Sequence, residues 1–267
     1  MDRHPPSPGH RAAIPFPGSP HDLCRAALDN WMAVGVSRAP EFRSSIRLGQ
    51  DQINDRQDTW IMTSRSSRTV ASMDEAVRRL RSEIVACTHC AASLPHSPRP
   101  VAQFGDAARI LIIGQAPGVR VHESGVPWND ASGARLREWI GLDDITFYDP
   151  DRLALMPMGF CYPGKGRSGD LPPRPECAPL WHDRILPLMP DIRLTLLVGS
   201  YAQSRYLPHA GEMSLTDRVR RWATFGGNVI PLPHPSWRST GWMARNPWFE
   251  IELIPVLQSA VHAALEP

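Results

Sequence analysis

Four cysteines are the residues in this chain best suited to chemistry: Cys87, Cys90, Cys161 and Cys177. The first two form a Cys-x-x-Cys pair, and the last two are separated by residues 162–176. Thiolates in sets of four hold zinc or an iron–sulfur cluster, because soft sulfur ligands match those metals. A zinc ribbon would show a second close Cys-x-x-Cys pair. Here the second pair is spread, so a folded domain must gather the ligands. That favours a cluster built into a globular enzyme, against a plainer reading as four unrelated thiols.

Three further clusters carry polar chemistry. Gly114-Gln115-Ala116-Pro117-Gly118 has glycines at both ends, which permit a tight turn and close approach of backbone to a ligand. No Gly-Lys-Ser/Thr follows, so it is not a phosphate loop. Downstream, Pro127-Trp128-Asn129-Asp130 places a flat aromatic and a carboxylate before a helix. Trp128 can stack on a planar ligand or fill the core. Asp130 can cap the helix or orient a water. Last comes His234-Pro235-Ser236-Trp237-Arg238, trailed by Trp242, Met243 and Arg245. A histidine there can hydrogen-bond a developing anion. The mixed apolar and cationic loop after it suits a wedge that enters a duplex and grips phosphates, or an apolar loop packed on its neighbours.

The elements that must position these groups are legible from periodicity. Residues 73–87 read as an amphipathic helix with Ser72 and Glu75 as a capping box, and it delivers Cys87 and Cys90 at its end. Strands are expected at 109–114, 153–157, 194–198 and 228–232. Helices are expected at 132–140, 178–189 (broken at Pro187), 201–207 and 246–265. Strands alternating with helices imply a parallel sheet covered on both faces, with ligands bound beyond the carboxyl ends of the strands. Residues 1–70 are rich in Pro, Ser, Arg and Asp. They read as a largely disordered or loosely packed extension of a catalytic domain over 71–267, with Met62 and Met73 as alternative starts.

Composition excludes several classes. The chain has 267 residues, is 42% hydrophobic and carries a formal net charge of +2, too mild by itself to demand a polyanionic partner. Its cations are nearly all arginine, with Lys165 the one lysine. No apolar stretch is long enough for a transmembrane helix, the N-terminus lacks a secretory h-region, and five cysteines including the isolated Cys24 argue against a disulfide framework. A cytoplasmic monomer is expected.

Taken in order, the clusters resemble the uracil-DNA glycosylase superfamily, nearest its iron–sulfur branches, families 4 and 5. The resemblance spans about 72–265. It implies a three-layer α/β/α fold with a central four-stranded parallel sheet. It also implies a monofunctional glycosylase that flips a deaminated base out of DNA and hydrolyses its N-glycosidic bond. On that resemblance Cys87, Cys90, Cys161 and Cys177 hold a [4Fe–4S] cluster. Gly114, Gln115, Ala116, Pro117 and Gly118 face the base, Trp128 stacks on it, and Met156 and Pro157 lie beside it. His234 stabilises the leaving anion. Lys165, Arg167, Arg174, Ser236, Trp237 and Arg238 contact DNA.

Three departures qualify this picture. Family 4 has Glu where this chain has Gln115, which cannot act as a base. Family 5 uses an Asp in an Asp-Arg-Ser-Gly stretch, and Asp130-Ala-Ser132-Gly133 corresponds to it, making Asp130 the expected catalytic carboxylate. The Asn that reads uracil in related branches is replaced by Pro157, which has no side-chain amide. A base range extending to hypoxanthine or xanthine follows. Finally, the basic loop 162–176 lacks the histidine with which one branch traps its product covalently, so no adduct is expected. The alternatives are a lesion-sensing DNA-binding protein that kept the fold, and a zinc-stabilised enzyme acting on another nucleotide.

Overall fold

The computed structural model describes residues 73–267. The capping residue Ser72, Cys24 and the extension over 1–70 lie outside the described residues. Four strands form one parallel sheet: β1 (Ile110–Ile113), β2 (Leu153–Leu155), β5 (Leu194–Val198) and β6 (Val229–Leu232), in the order β2-β1-β5-β6. β1 pairs with both neighbours, Ile110 with Leu153 on one side and with Leu194 on the other. Every residue of β1 is buried, as a strand covered on both faces requires.

The two-residue period of the strands divides the core in two. Ile110, Ile112, Leu196 and Leu232 pack with helix α3 (Ala131–Ile140) and helix α9 (Ile254–Leu265). Leu111, Ile113, Ala154 and Leu197 pack on the other side with helix α1 (residues 73–85) and helix α5 (Cys177–Ile185). The result is the expected three-layer α/β/α arrangement.

Several elements depart in detail. The break at Pro187 is a 3₁₀ turn, Leu186–Leu188. The last helix opens as a π-helical turn, Phe249–Leu253, before α9. Pro255 lacks the N–H that would bond back to Ile251, which accounts for the widened turn. A two-stranded antiparallel hairpin, β3 (Lys165–Gly166) and β4 (Gly169–Asp170), stands in the loop between Cys161 and Cys177, where no regular structure was expected. Short helices α2 (Val119–Ser124), α4 (Asp144–Phe147), α6 (Ser200–Tyr206), α7 (Leu215–Arg220) and α8 (Thr240–Arg245) complete the domain. Among the described residues no helix is long and apolar enough to cross a membrane.

Candidate active site and cysteine cavity

The carboxyl ends of β1 and β6 open into a cavity of about 420 Å³. Gly114 to Gly118, Trp128, Asp130, Pro157, His234 and the Ser236–Arg238 loop all line it. The sequence motifs, separated by more than a hundred residues, therefore converge.

Local chemistry explains how each group is held. The carbonyls of Gly114 and Gln115 accept from the amides of Met158 and Gly159 at 2.9 and 3.0 Å, which stitches the first motif to the end of β2. Trp128 has a positive φ of 57°, an uncommon conformation for a bulky residue. It is possible because position 133 is glycine: a β-carbon there would stand 1.7 Å from the Trp128 carbonyl oxygen. Gly114 matters likewise, since its β-carbon would come within 2.7 Å of the indole. The indole lies 5.9 Å from the His234 ring, centre to centre, at the cavity wall.

Asp130 caps a helix and also reaches the cavity. Its Oδ1 accepts from the Gly133 amide at 2.8 Å and caps α3. Its Oδ2 points to the cavity, 3.8 Å from where a β-carbon on Gly118 would stand. His234 is half-buried, and its burial lowers its pKa against the opposing pull of Asp130 and Asp170. The imidazole is therefore neutral near pH 7, able to donate one N–H without carrying charge.

Two expected site residues fall elsewhere. Met156 is fully buried in the core with Ala154, because alternate residues at the end of β2 share a face; it does not line the cavity, while Pro157 does. Arg174 points at the cysteines. Its guanidinium donates to Glu176 Oε1 at 2.7 Å, and its side chain lines the cavity that Cys90 lines, so it is not a free phosphate contact. Lys165 and Arg167 are exposed on the hairpin. Ser236 and Arg238 lie at the cavity rim with Trp237, which is 74% exposed.

The cysteines form the second centre. Cys87, Cys90, Cys161 and Cys177 all line one narrow cavity, walled by Leu94, Phe160 and Trp181. Burial pushes the Cys161 thiol up to about 11 and the Cys177 thiol up to about 12. One nitrogen donor nevertheless reaches a sulfur: the Phe160 amide meets Cys177 Sγ at 3.2 Å. Among the described residues no three His, Cys, Asp or Glu side chains are grouped to hold a single metal ion.

Comparison with known proteins decides the family. The model of the uracil DNA glycosylase superfamily matches residues 101–258. That span runs from the wall of the cavity into the last helix. The chain belongs to the uracil DNA glycosylase superfamily. It is similar to a type-5 uracil-DNA glycosylase of Thermus thermophilus, 30% identical over 196 residues, which cover 64% of this chain and 85% of that protein. The type-5 likeness agrees with the branch expected from the motifs.

In this superfamily member, motif reasoning missed two features of the site. His182 is fully buried; its Nε2–H donates to the Pro157 carbonyl at 3.0 Å, and its Nδ1 accepts from the Tyr206 hydroxyl at 2.6 Å. That chain fixes the backbone of the proline that replaces the expected Asn. The hairpin is the other: Ser168, Gly169, Asp170 and Leu171 line the cavity. Arg238 reaches across from the loop after His234 and donates to the Ser168 carbonyl at 2.5 Å, clasping the two loops together. The clustered charges of loop 162–176 were a signal for DNA contact, but nothing local indicated that the loop folds back over the site.

Proposed function

We propose that the protein excises uracil from DNA as a monofunctional glycosylase, and that its base range extends to hypoxanthine or xanthine. The observation that carries this is the convergence of the first-motif backbone, Trp128, Asp130 and His234 on one cavity. A flipped base would enter the cavity that the indole and the Gly114–Gly118 turn line. Flipping costs a few kcal/mol, least at a mismatch, and the exposed Trp237 with Arg238 would offset it from the groove.

The bond order of events follows from the charges. The C1′–N bond breaks with its electron pair leaving on the base. Neutral His234 donates to the base oxygen on which that charge collects, and the Gln115 and Ala116 amides, which bond no described backbone carbonyl, remain available to donate beside it. Asp130 stabilises the positive sugar, and the water that adds to C1′ loses its proton to a carboxylate of the cavity. Gln115 cannot take that part. A lyase step needs an amine nucleophile; the one lysine, Lys165, is exposed on the hairpin and does not line the cavity, which supports hydrolysis without strand cleavage.

The same reading assigns a [4Fe–4S] cluster to Cys87, Cys90, Cys161 and Cys177. Their common cavity and the Phe160 amide aimed at the Cys177 sulfur support it, since such donors stabilise the negative charge of ligating thiolates. When bound, the cluster supplies a cross-link between the end of α1 and both ends of loop 162–176. The extended base range rests on Pro157, whose wall position has no amide to reject a wrong base edge.

The test mixes anaerobically purified protein with labelled oligonucleotides carrying uracil, hypoxanthine or xanthine and scores alkali-labile sites. Cleavage at uracil and at one purine is expected. Cleavage at uracil alone would remove the extended range, and lesion binding without cleavage would identify the lesion-sensing alternative. A brown protein with broad visible absorbance is expected for the cluster; a colourless, zinc-bearing one would refute it.

A further inference from the structure

The cavity holds a second carboxylate that the motifs did not indicate. Asp170, on β4, lies among the lining residues opposite Asp130. Its Oδ2 is 3.6 Å from the point where a β-carbon on Gly118 would stand, and Asp130 Oδ2 is 3.8 Å from that same point. Both oxygens thus converge on one small region above the first motif.

The two side chains are held alike. Asp130 Oδ1 is occupied by the Gly133 amide, and Asp170 Oδ1 accepts from the Tyr162 hydroxyl at 3.4 Å. In each case the second oxygen faces the cavity. Among the described residues neither carboxylate forms an ion pair. An unpaired carboxylate on a surface that must meet phosphates is unfavourable for binding, so a structural role explains it poorly. The hairpin that carries it is clasped by Arg238 to the loop bearing His234, and both carboxylates act electrostatically on His234.

We infer that Asp170 is a second catalytic carboxylate, which with Asp130 holds the attacking water against C1′. This rests on the glycosylase reading above. The Gly133 amide holds Asp130 Oδ1, so Asp130 offers the cavity one fixed oxygen at the mouth of the first motif. Asp130 then stabilises the sugar cation, while Asp170 takes the proton that water loses as its oxygen bonds to C1′. The base departs with the electron pair of the broken bond and is protonated from solvent.

The experiment compares wild type, Asp170→Asn and Tyr162→Phe in single-turnover excision from a uracil-containing duplex, with binding to abasic-site DNA measured in parallel. Asp170→Asn should slow excision by about a hundredfold, within the range for loss of a general base, and leave abasic-site binding within about twofold. Tyr162→Phe should slow it far less. An Asp170→Asn rate near wild type overturns the inference. So does a parallel loss of binding and excision, or a Tyr162→Phe defect as large as that of Asp170→Asn, because each assigns Asp170 a structural role. A wild-type protein that cleaves no modified strand overturns the glycosylase reading and this inference together; wild-type cleavage with an unaffected variant overturns this inference alone.

Discussion

The cysteine cavity and the base-sized cavity solve opposite problems. One is narrow and lined mostly by cysteines and apolar residues, and its burial pushes the Cys161 and Cys177 thiol pKa values far above neutrality. The other is open at its rim and keeps two carboxylates and a neutral imidazole in reach of a ligand. Motif reasoning treats them as separate, with metal in one place and chemistry in another. The structure joins them through a single segment. The chain leaves the first centre at Cys161, forms one wall of the second with Ser168–Leu171, and returns at Cys177. A cluster held by these cysteines would anchor both ends of that loop and so fix what its middle presents.

That comparison can be broken at either end. The largest effect is expected from Asp130→Asn. Excision should fall by about a hundredfold to a thousandfold, with the visible spectrum unchanged. Activity near wild type would remove Asp130 from the chemistry. Next is Cys177→Ser, at the most buried of the four thiols. It should bleach visible absorbance and also slow excision by at least about tenfold, because the hairpin loses one anchor; full bleaching with unchanged excision would separate the two centres after all.

Gly133→Ala tests the strained indole. A β-carbon cannot share space with the Trp128 carbonyl, so a loss of roughly 3 kcal/mol in a denaturant melt is expected. The His182 network gives a pH signature. Its burial lowers its pKa to about 4, below the unfolded value of 6.5, so the unfolded chain binds the proton more readily between those values. Stability is full above about pH 6.5 and declines as pH falls toward 4, by roughly 2 kcal/mol between pH 7 and pH 5. His182→Gln should be less stable at pH 7 and lose that slope. The smallest effect is Pro157→Asn, which restores a side-chain amide at the wall. It should raise the preference for uracil over hypoxanthine by about tenfold without raising the uracil rate.

Much of this was legible residue by residue. Strand positions followed from short apolar runs, and each expected strand is present within one or two residues of its bounds. Cys87 and Cys90 at the end of α1, and the glycine turn after β1, follow from local periodicity and backbone sterics. Met156 was misplaced because the face of a strand-end residue depends on the register of its neighbours, which a single strand does not encode. Arg174 was misread because a loop arginine looks the same whether it faces phosphate or Cys90.

The sequence by itself determined the elements, the set of four cysteines, and the absence of both a Glu at position 115 and an Asn at position 157. These depend on side-chain identity and on contacts a few residues apart. Only the tertiary structure decided that Asp130 caps with one oxygen and serves the cavity with the other, and that His182 supports Pro157. It alone brought Asp170 from the cysteine loop to within 4 Å of the point that Asp130 also faces. Such placements come from packing between segments tens of residues apart. Each is set by how the whole sheet, its covering helices and the clasp at Arg238 close together, and that information is not contained in any one stretch of chain.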